Sequence, residues 1–213
     1  MLPGPPAASW RIAGLPGQKP PLTRFDVAPV DGQNVLRVAA DASYGNLLLD
    51  TPGVLLGADA VLRWRWRLER GLPSSDLARK DGDDAPLKVC ALFDMPLDGL
   101  GLAERTRLRL ARSVSGEHLP AATLCYVWDR LLPANTEIAN VFSARVRYVV
   151  ATSGDARPGQ WFTLERRLAA DFLRAFGHES PRVPPLLAIA VGADADNTGG
   201  SSLGYVGDVT LTP

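Results

Sequence analysis

The segment that most constrains the fold is residues 60–69, AVLRWRWRLE, in which apolar and charged side chains alternate without a break. Leu62, Trp64, Trp66 and Leu68 fall on one side of an extended chain, and the arginines between them fall on the other. A helix, with its period of 3.6 residues, would mix the two sets on every face. The segment is therefore predicted to be a strand with one buried face, which a second layer of structure must cover.

Short strands of this kind recur along the whole chain. The 20 glycines and 18 prolines favour many turns over long helices, and Asp31-Gly32 is a turn signal between two strands. Two helices are predicted, at 101–114 and at 169–176 with Gly177 closing the second; Leu102, Leu110 and Val114 share helical spacing in the first. The other predicted strands are 25–27, 35–38, 46–50, 87–93, 123–129, 142–151, 161–164, 187–191 and 205–211.

This order of elements predicts an all-β protein, a jelly-roll-like two-sheet antiparallel β-sandwich with one or two short helical insertions. A parallel α/β fold does not fit, because helices do not alternate with strands. Residues 1–24 are predicted to be a proline- and glycine-rich lead-in, part of it an edge strand, that packs on a single domain formed by residues 25–213. Cys90 and Cys125 lie in strand-like runs, and we favour two buried thiols over a disulfide.

Charge and hydropathy exclude several function classes. The 23 basic and 23 acidic residues give a net charge of zero, which argues against a nucleic-acid partner. No apolar run reaches the roughly 18 residues of a transmembrane segment. The chain contains no P-loop, nucleophile elbow or HExxH motif, so no enzyme class is indicated by sequence motif.

The loop at 192–200, GADADNTGG, carries the densest set of oxygen-bearing side chains. Calcium prefers six to eight oxygen ligands, and Asp194, Asp196 and Asn197 would supply them together with Asp83 and Asp84 if the two loops meet. Two alternatives stay open. In the first, the side chains hydrogen-bond the backbone of their own turns; in the second, the carboxylates pair with arginines on the strands.

Aromatic and arginine side chains provide the candidate ligand contacts. The aromatic face of the 60–69 strand is favoured as sandwich core, with a stacking platform for a sugar ring as the sharper alternative. The arginine faces (Arg63, Arg65 and Arg67; Arg145 and Arg147) are favoured as solvated, although a concave sheet would turn them into an anion site. The candidate ligand-binding residues are Trp64, Trp66, Tyr126, Trp128, Trp161 and Arg130.

Six segments in order resemble a bacterial family classed as a domain of unknown function: WRW (64–66), DGDDAPLKVCALF (81–93), YVW (126–128), DFLRAFG (171–177), DADNTGG (194–200) and YVGDVTL (205–211). Its members look exported, so the resemblance implies a periplasmic or secreted protein, although the first residues show no signal-peptide pattern. The chain departs from the family pattern at Ala85-Pro86-Leu87-Lys88. The YVGDVTL ending is also similar to jelly-roll carbohydrate-binding modules, and that resemblance implies a structural calcium held by Asp208.

The sequence therefore predicts a non-catalytic protein that binds a saccharide or another small polar ligand of the cell envelope and is stabilised by calcium. Its predicted metal ligands are Asp83, Asp84, Asp194, Asp196, Asn197 and Asp208. The first alternative is a hydrolase that uses Asp83, Asp84, Asp194 and Asp196. The second is a structural or assembly protein.

Overall fold

The computed structural model describes residues 3–15, 17–115 and 119–213, except for the side chains of residues 114 and 115. Two stacked sheets form a jelly-roll-like β-sandwich, which confirms the predicted fold class. The seven-stranded sheet has the order β1-β4-β11-β6-β7-β9-β8, and the five-stranded sheet has the order β10-β5-β12-β3-β2. The strands are β1 (Trp10–Ala13), β2 (Arg24–Val30), β3 (Gln33–Asp41), β4 (Tyr44–Val54), β5 (Val61–Arg70), β6 (Lys88–Phe93), β7 (Ala122–Asp129), β8 (Glu137–Ala139), β9 (Val146–Ser153), β10 (Phe162–Arg167), β11 (Leu186–Asp194) and β12 (Ser201–Thr212).

One strand pair departs from the predicted antiparallel arrangement. β7 and β9 run parallel, with Thr123 opposite Val146 and Tyr126 opposite Val149. The chain between them contains the short strand β8, which pairs antiparallel with β9 and was not predicted. The strand predicted at 142–151 begins only at Val146, because the preceding residues form the turn that leads out of β8.

The core lies between the two sheets and contains four of the five predicted ligand-stacking aromatics. Trp64 and Trp66 on β5 meet Tyr126 and Trp128 on β7, with ring centroids 5.2 Å apart for Trp64 and Tyr126 and 6.0 Å apart for Trp66 and Trp128. All four side chains are at most 1% exposed. A sugar ring cannot reach them, which corrects the expectation that they bind a ligand. Their alternation reflects burial against the opposite sheet.

The proline-rich lead-in contributes an edge strand. β1 pairs antiparallel with β4, with Trp10 opposite Leu49, and so closes one side of the seven-stranded sheet. The predicted turn at Asp31-Gly32 connects β2 to β3. Both residues have positive φ angles, 50° and 76°, as a two-residue type I′ hairpin requires.

Both predicted helices form, as α1 (Leu102–Ser115) and α2 (Leu168–Phe176). The apolar face assigned to α1 is wrong, because Leu102 and Leu110 are exposed and Leu108 is the buried leucine. The side chain of Val114 lies outside the described part of the chain. Gly177 follows α2 in a right-handed conformation, and its N–H donates to Leu173. No helix within the described ranges is long and apolar enough to span a membrane.

Cys90 and Cys125 form a disulfide, so the expectation of two buried thiols is wrong. The two residues lie directly opposite each other on β6 and β7, with Cα atoms 4.0 Å apart. The strand alternation places both on the same face of the seven-stranded sheet. Sequence spacing alone did not reveal this register, because the two cysteines have a sequence separation of 35 and α1 lies between them.

Candidate functional site

A cleft of about 970 Å³ lies on the outer face of the seven-stranded sheet, the face that points away from the five-stranded sheet. Five neighbouring strands supply its floor through every second residue. The strand parity that sends Val89, Ile189 and Val191 into the core turns their neighbours outward. The outward residues that form the floor are Leu48, Cys90, Leu92, Cys125, Val146, Ala188 and Ala190.

The cleft is open because the middle of its floor is built from small side chains. Ala188 and Ala190 lie on β11, and the Cys90–Cys125 disulfide lies beside them on β6 and β7. A β-bulge between Leu186 and Ala188 sets this parity, so that the alanines face outward. Large side chains at these positions would fill the space instead.

A buried ion pair closes one end of the cleft. The ammonium of Lys88 on β6 lies 2.9 Å from a carboxylate oxygen of Asp194 at the end of β11, and the backbone N–H of Ala85 donates to the other oxygen at 2.9 Å. The Lys88 stem crosses the strand at Gly192, where a Cβ would lie 2.3 Å from the Asn46 side-chain oxygen and 3.0 Å from the lysine. A Cβ at 192 would also lie 2.8 Å from the carbonyl oxygen of Gly45, so the close packing of β4 and the Lys88 stem favours glycine there.

The charge of Lys88 is held in place by its surroundings. Burial lowers the pKa of its ammonium, but the negative charge and hydrogen bond of Asp194 outweigh that effect and leave the pKa above its usual range. The ammonium also lies 4.7 Å from the ring centroid of Tyr44. Lys88 is thus a buried positive charge at the end of the cleft, held by Asp194 and the ring of Tyr44.

Asp83 stands beside this pair with one free carboxylate oxygen. The Asn140 amide donates to Oδ2 of Asp83 and also to the hydroxyl of Tyr148 at 2.9 Å. Oδ1 of Asp83 is buried, and no described residue donates to it. Burial raises the Asp83 pKa to about 6, the charge of Asp194 adds to the rise, and the Asn140 hydrogen bond opposes it. Asp83 is therefore a carboxyl group that gains a proton in mildly acidic solution.

Asp196 is a second carboxylate of the cleft wall with an unused oxygen. Its Oδ1 is buried, with no hydrogen-bond donor in the described ranges. Burial raises the Asp196 pKa, and the nearby charges of Asp194 and Asp84 act in the same direction. Of the acidic residues near the Lys88 pair, Asp83 and Asp196 are the two that keep an unpartnered oxygen.

Asp84 has a different role, because its two oxygens hold the 192–200 loop. One oxygen accepts hydrogen bonds from the backbone and amide of Asn197, at 3.1 and 3.2 Å. The other accepts from the backbone and hydroxyl of Thr198, at 2.7 and 2.6 Å. Asp84 thus does not bond the backbone of its own turn, as the first alternative expected, but holds a loop that lies 113 residues further along the chain. The Lys88–Asp194 pair matches the second, with lysine in place of the expected arginine.

The predicted calcium ligands are only partly brought together. Asp83, Asp194, Asp196 and Asn197 line one end of the cleft, and Asp84 is buried next to them in contact with Asn197. Asp208 instead lies on the five-stranded sheet and pairs with Arg65 at 2.5 Å. Within the described ranges, no group of three or more histidine, cysteine or acidic side chains is arranged to hold a metal ion. Calcium binding stays a prediction from the sequence.

The remaining ligand candidates lie away from the cleft. Trp161 is half-buried on the outer face of the five-stranded sheet, where its ring centroid lies 4.5 Å from the Arg65 guanidinium and its indole donates to Asp31. Arg130 flanks a smaller pocket of about 320 Å³, 3.6 Å from Asp155. The arginines of the two predicted arginine faces pair with acidic side chains. Arg145 is buried against Glu104 and Glu179, so the expectation that it is solvated is wrong.

Four residues of the site were not predicted from the sequence: Tyr44, Lys88, Asn140 and Tyr148. Lys88 had a usable signal, because a lysine inside the buried run LKVCALF needs a buried partner. Tyr148 was assigned to the correct strand and face but treated only as a patterning residue. Asn140 belongs to the unpredicted β8 turn, and nothing in its local sequence indicates that it meets Asp83.

Solved structures with the same sandwich are found among glycan-active proteins. Endoglucanase 3 of Trichoderma harzianum, from family GH12, superposes with a TM-score of 0.50 and 10% identity over 99% of this chain and 93% of that chain. The catalytic domain of Humicola grisea Cel12A, solved with a thio cellotetraose, gives 0.50 and 14% over 96% and 93%. A tandem CBM22 domain of Paenibacillus barcinonensis Xyn10C gives 0.37 and 12% over 97% and 46%. The two similarities with a TM-score of 0.50 concern the fold alone.

Sequence comparison assigns the family. None of the curated proteins compared with this chain is significantly similar to it. A family model matches residues 8–210, which is nearly the whole chain and includes both sheets, the cleft and the acidic loop. The chain belongs to the DUF3047 family, a family of proteins of unknown function.

Proposed function

We propose that the protein binds a saccharide in the cleft on the outer face of the seven-stranded sheet. One observation carries the proposal: a mostly apolar floor ends at two carboxylates, Asp83 and Asp196, that each keep a buried oxygen without a protein donor. Buried polar atoms need hydrogen bonds, and a bound ligand with several hydroxyl groups would supply them.

The apolar floor of the cleft suits the C–H face of a sugar ring. Pyranose rings present C–H groups that pack on apolar surfaces, and Leu48, Ala188, Ala190 and the disulfide offer such a surface. The ring hydroxyls of the same sugar would donate to Asp83 and Asp196. In this arrangement the binding residues differ from those predicted, since the core tryptophans take no part.

The fold similarity supports the same ligand class. The two structures that superpose with a TM-score of 0.50 are an endoglucanase and a catalytic domain solved with a thio cellotetraose. A glucan oligosaccharide is therefore the first probe to use. The disulfide further supports an exported protein, periplasmic or secreted, because disulfides persist in oxidising compartments.

The test is a calorimetric titration of the protein with cellohexaose at pH 6. We expect saturable binding by the wild type and its loss in Ala188→Phe, which fills the cleft from the floor. The matched control is Ala39→Phe, on the outer face of the five-stranded sheet, which should bind like the wild type. Equal binding by both variants would place the ligand outside the cleft, and no binding by folded wild type would contradict the proposal.

A further inference from the structure

We propose that the cleft binds a linear oligosaccharide that runs across the strands, with one of its sugar rings packed on the exposed ring of Phe142. This inference rests on the proposed function and deepens it, because it names the form of the saccharide and a residue that binds it. Two features of the molecule carry it: the length of the cleft and the side chains at its two ends.

The cleft extends from one edge of the seven-stranded sheet to the other. Its lining includes Ala13 of the edge strand β1, residues of β4, β11, β6, β7 and β9, and Phe142 in the turn between β8 and β9. Neighbouring strands lie about 4.8 Å apart, so the five spacings from β1 to β9 give a path of about 24 Å. A single sugar ring would fill only part of that path, whereas a chain of several rings would follow it.

Exposed apolar side chains stand at both ends of this path. Within the described ranges, Leu15 and Phe142 are the two cleft-lining residues among the exposed large hydrophobic side chains, at 47% and 56% exposure. Phe142 is also the one aromatic residue of that exposed set. Its ring keeps this exposure although the Lys80 ammonium lies 5.7 Å from the ring centroid. A ligand that covers the ring gains a flat apolar contact.

Asn140 holds the turn that carries Phe142. Its side-chain oxygen accepts the N–H groups of Phe142 and Ser143, both at 3.0 Å, and its amide nitrogen donates to Asp83 and to the hydroxyl of Tyr148. The turn is thereby tied to a carboxylate of the cleft. A binding surface that is already held in place loses less conformational entropy when the ligand binds.

A second amide holds the opposite end of the path. The side-chain oxygen of Gln18 accepts the N–H of Leu15 at 2.7 Å, and its amide nitrogen donates to the backbone carbonyl of Tyr44 at 2.9 Å. Leu15 is thus fixed to β4 beyond the end of β1. Both ends of the cleft are therefore built in advance of a ligand.

The charges along the cleft favour a neutral chain. The described lining contains two cations, each paired with a carboxylate, and two further acidic residues, Asp83 and Asp196. A chain of uronic acids would be repelled by this excess of acidic groups. The hydroxyl groups of a neutral sugar would instead donate hydrogen bonds to the carboxylates.

The experiment compares cellobiose, cellotetraose and cellohexaose by calorimetric titration. We expect affinity to rise about 10-fold or more from cellobiose to cellohexaose, because the longer chain covers more of the cleft. Phe142→Ala should lower the cellohexaose affinity about 10-fold, and Phe142→Tyr, which keeps the ring, should bind like the wild type. The control is Leu110→Ala, an exposed leucine on α1 outside the cleft, which should also bind like the wild type. Thermal melting checks that each variant is folded.

Two further measurements test the far end of the path and the charge of the chain. Leu15→Ala should weaken cellohexaose and leave cellobiose unchanged, because a disaccharide held at Phe142 does not reach β1. An oligogalacturonate of six residues should not bind, since its carboxylates would meet those of Asp83 and Asp196.

Equal affinity for the three glucose oligosaccharides would overturn the path across the strands, and wild-type affinity in Phe142→Ala would overturn the role of its ring. Binding of the galacturonate as tight as that of cellohexaose would overturn the preference for a neutral chain. Each of these results leaves saccharide binding in the cleft intact. If the folded wild type binds none of the oligosaccharides, both the inference and the proposed function are wrong.

Discussion

The ammonium of Lys88 and the carboxylate of Asp194 meet at 2.9 Å, and both side chains are only 4–5% exposed. Two elements far apart in sequence are joined by this contact, the start of β6 and the end of β11. Because neither group is solvated by water, each charged form is stabilised mainly by the opposite charge of its partner. The strands that carry it also carry the cleft floor, so the pair fixes the geometry of the site.

Removing the lysine alone should destabilise the protein strongly. Lys88→Met leaves Asp194 buried without its cation, and we expect a loss of about 3–5 kcal/mol in the free energy of unfolding by urea. Lys88→Met with Asp194→Leu should recover most of that loss, since two apolar groups need no partner. Arg63→Met is the control: its pair with Glu165 is about half exposed and should contribute less than about 1 kcal/mol. A similar loss in Lys88→Met and Arg63→Met would contradict the importance of burial.

Asp83 should make stability depend on pH in the direction opposite to an ion-paired aspartate. Its folded pKa of about 6 lies above the unfolded value of about 3.9, so the folded state binds more protons between these limits. The contribution of Asp83 is fully present below about pH 4 and is lost as the pH rises through about 6. Asp83→Asn should therefore be more stable than wild type by about 3 kcal/mol at pH 7.5 and gain almost nothing at pH 4. A pH-independent difference in urea unfolding would show that Asp83 titrates normally.

The disulfide should contribute substantially to stability. Cys90 and Cys125 close a loop with a sequence separation of 35, for which chain entropy predicts about 3–4 kcal/mol. We expect dithiothreitol to lower the melting temperature of the wild type. The variant with Cys90→Ala and Cys125→Ala should melt near the reduced wild type and should not respond to the reductant. A wild type whose melting is the same with and without reductant would argue against the disulfide.

Strand periodicity predicted the layers of the fold but not the position of the site. In 60–69 the large side chains share one face, so the buried side is evident. In β11 the alternation was recognised, yet Leu187, Ile189 and Val191 were grouped together, and the bulge between Leu186 and Ala188 breaks that group. Periodicity also shows only which residues are large. The cleft arises where the outward side chains of the seven-stranded sheet are small, at Ala188 and Ala190. Small residues on a strand produce no recognisable pattern in the sequence, so the cleft could not be predicted.

The predicted metal site required the two acidic loops to meet, and they do, but the roles of their residues depend on contacts across the sheet. Asp84 and Asp194 have the same chemistry in the sequence. Asp84 accepts hydrogen bonds from Asn197 and Thr198 of the 192–200 loop. Asp194 pairs with Lys88 across β11 and β6. The distinction depends on strand register, which the sequence does not specify when 106 residues separate the partners.

The core tryptophans should affect stability and not ligand contact. Trp128 is 1% exposed, and its indole donates to the backbone of Gly154 at 2.8 Å. We expect Trp128→Ala to lower the free energy of unfolding by about 3–5 kcal/mol. Trp161→Ala, on the outer face, removes an exposed contact with Arg65 that contributes about 1 kcal/mol. Urea unfolding compares the two, and a stable Trp128→Ala protein that no longer binds saccharide would return Trp128 to the ligand site.

Melting in excess calcium and in EGTA decides the predicted metal site. A cation at about 100 times its dissociation constant would stabilise the folded state by about 2.7 kcal/mol and shift the midpoint clearly. The contacts favour the opposite outcome, because four hydrogen-bond donors already surround Asp84, and Lys88 supplies the positive charge beside Asp194. A calcium ion near Asp83 and Asp196 would also lie next to that ammonium, which repels it. We therefore expect equal midpoints in the two buffers. A calcium-dependent rise that Asp196→Asn abolishes would instead establish the acidic loop as a metal site.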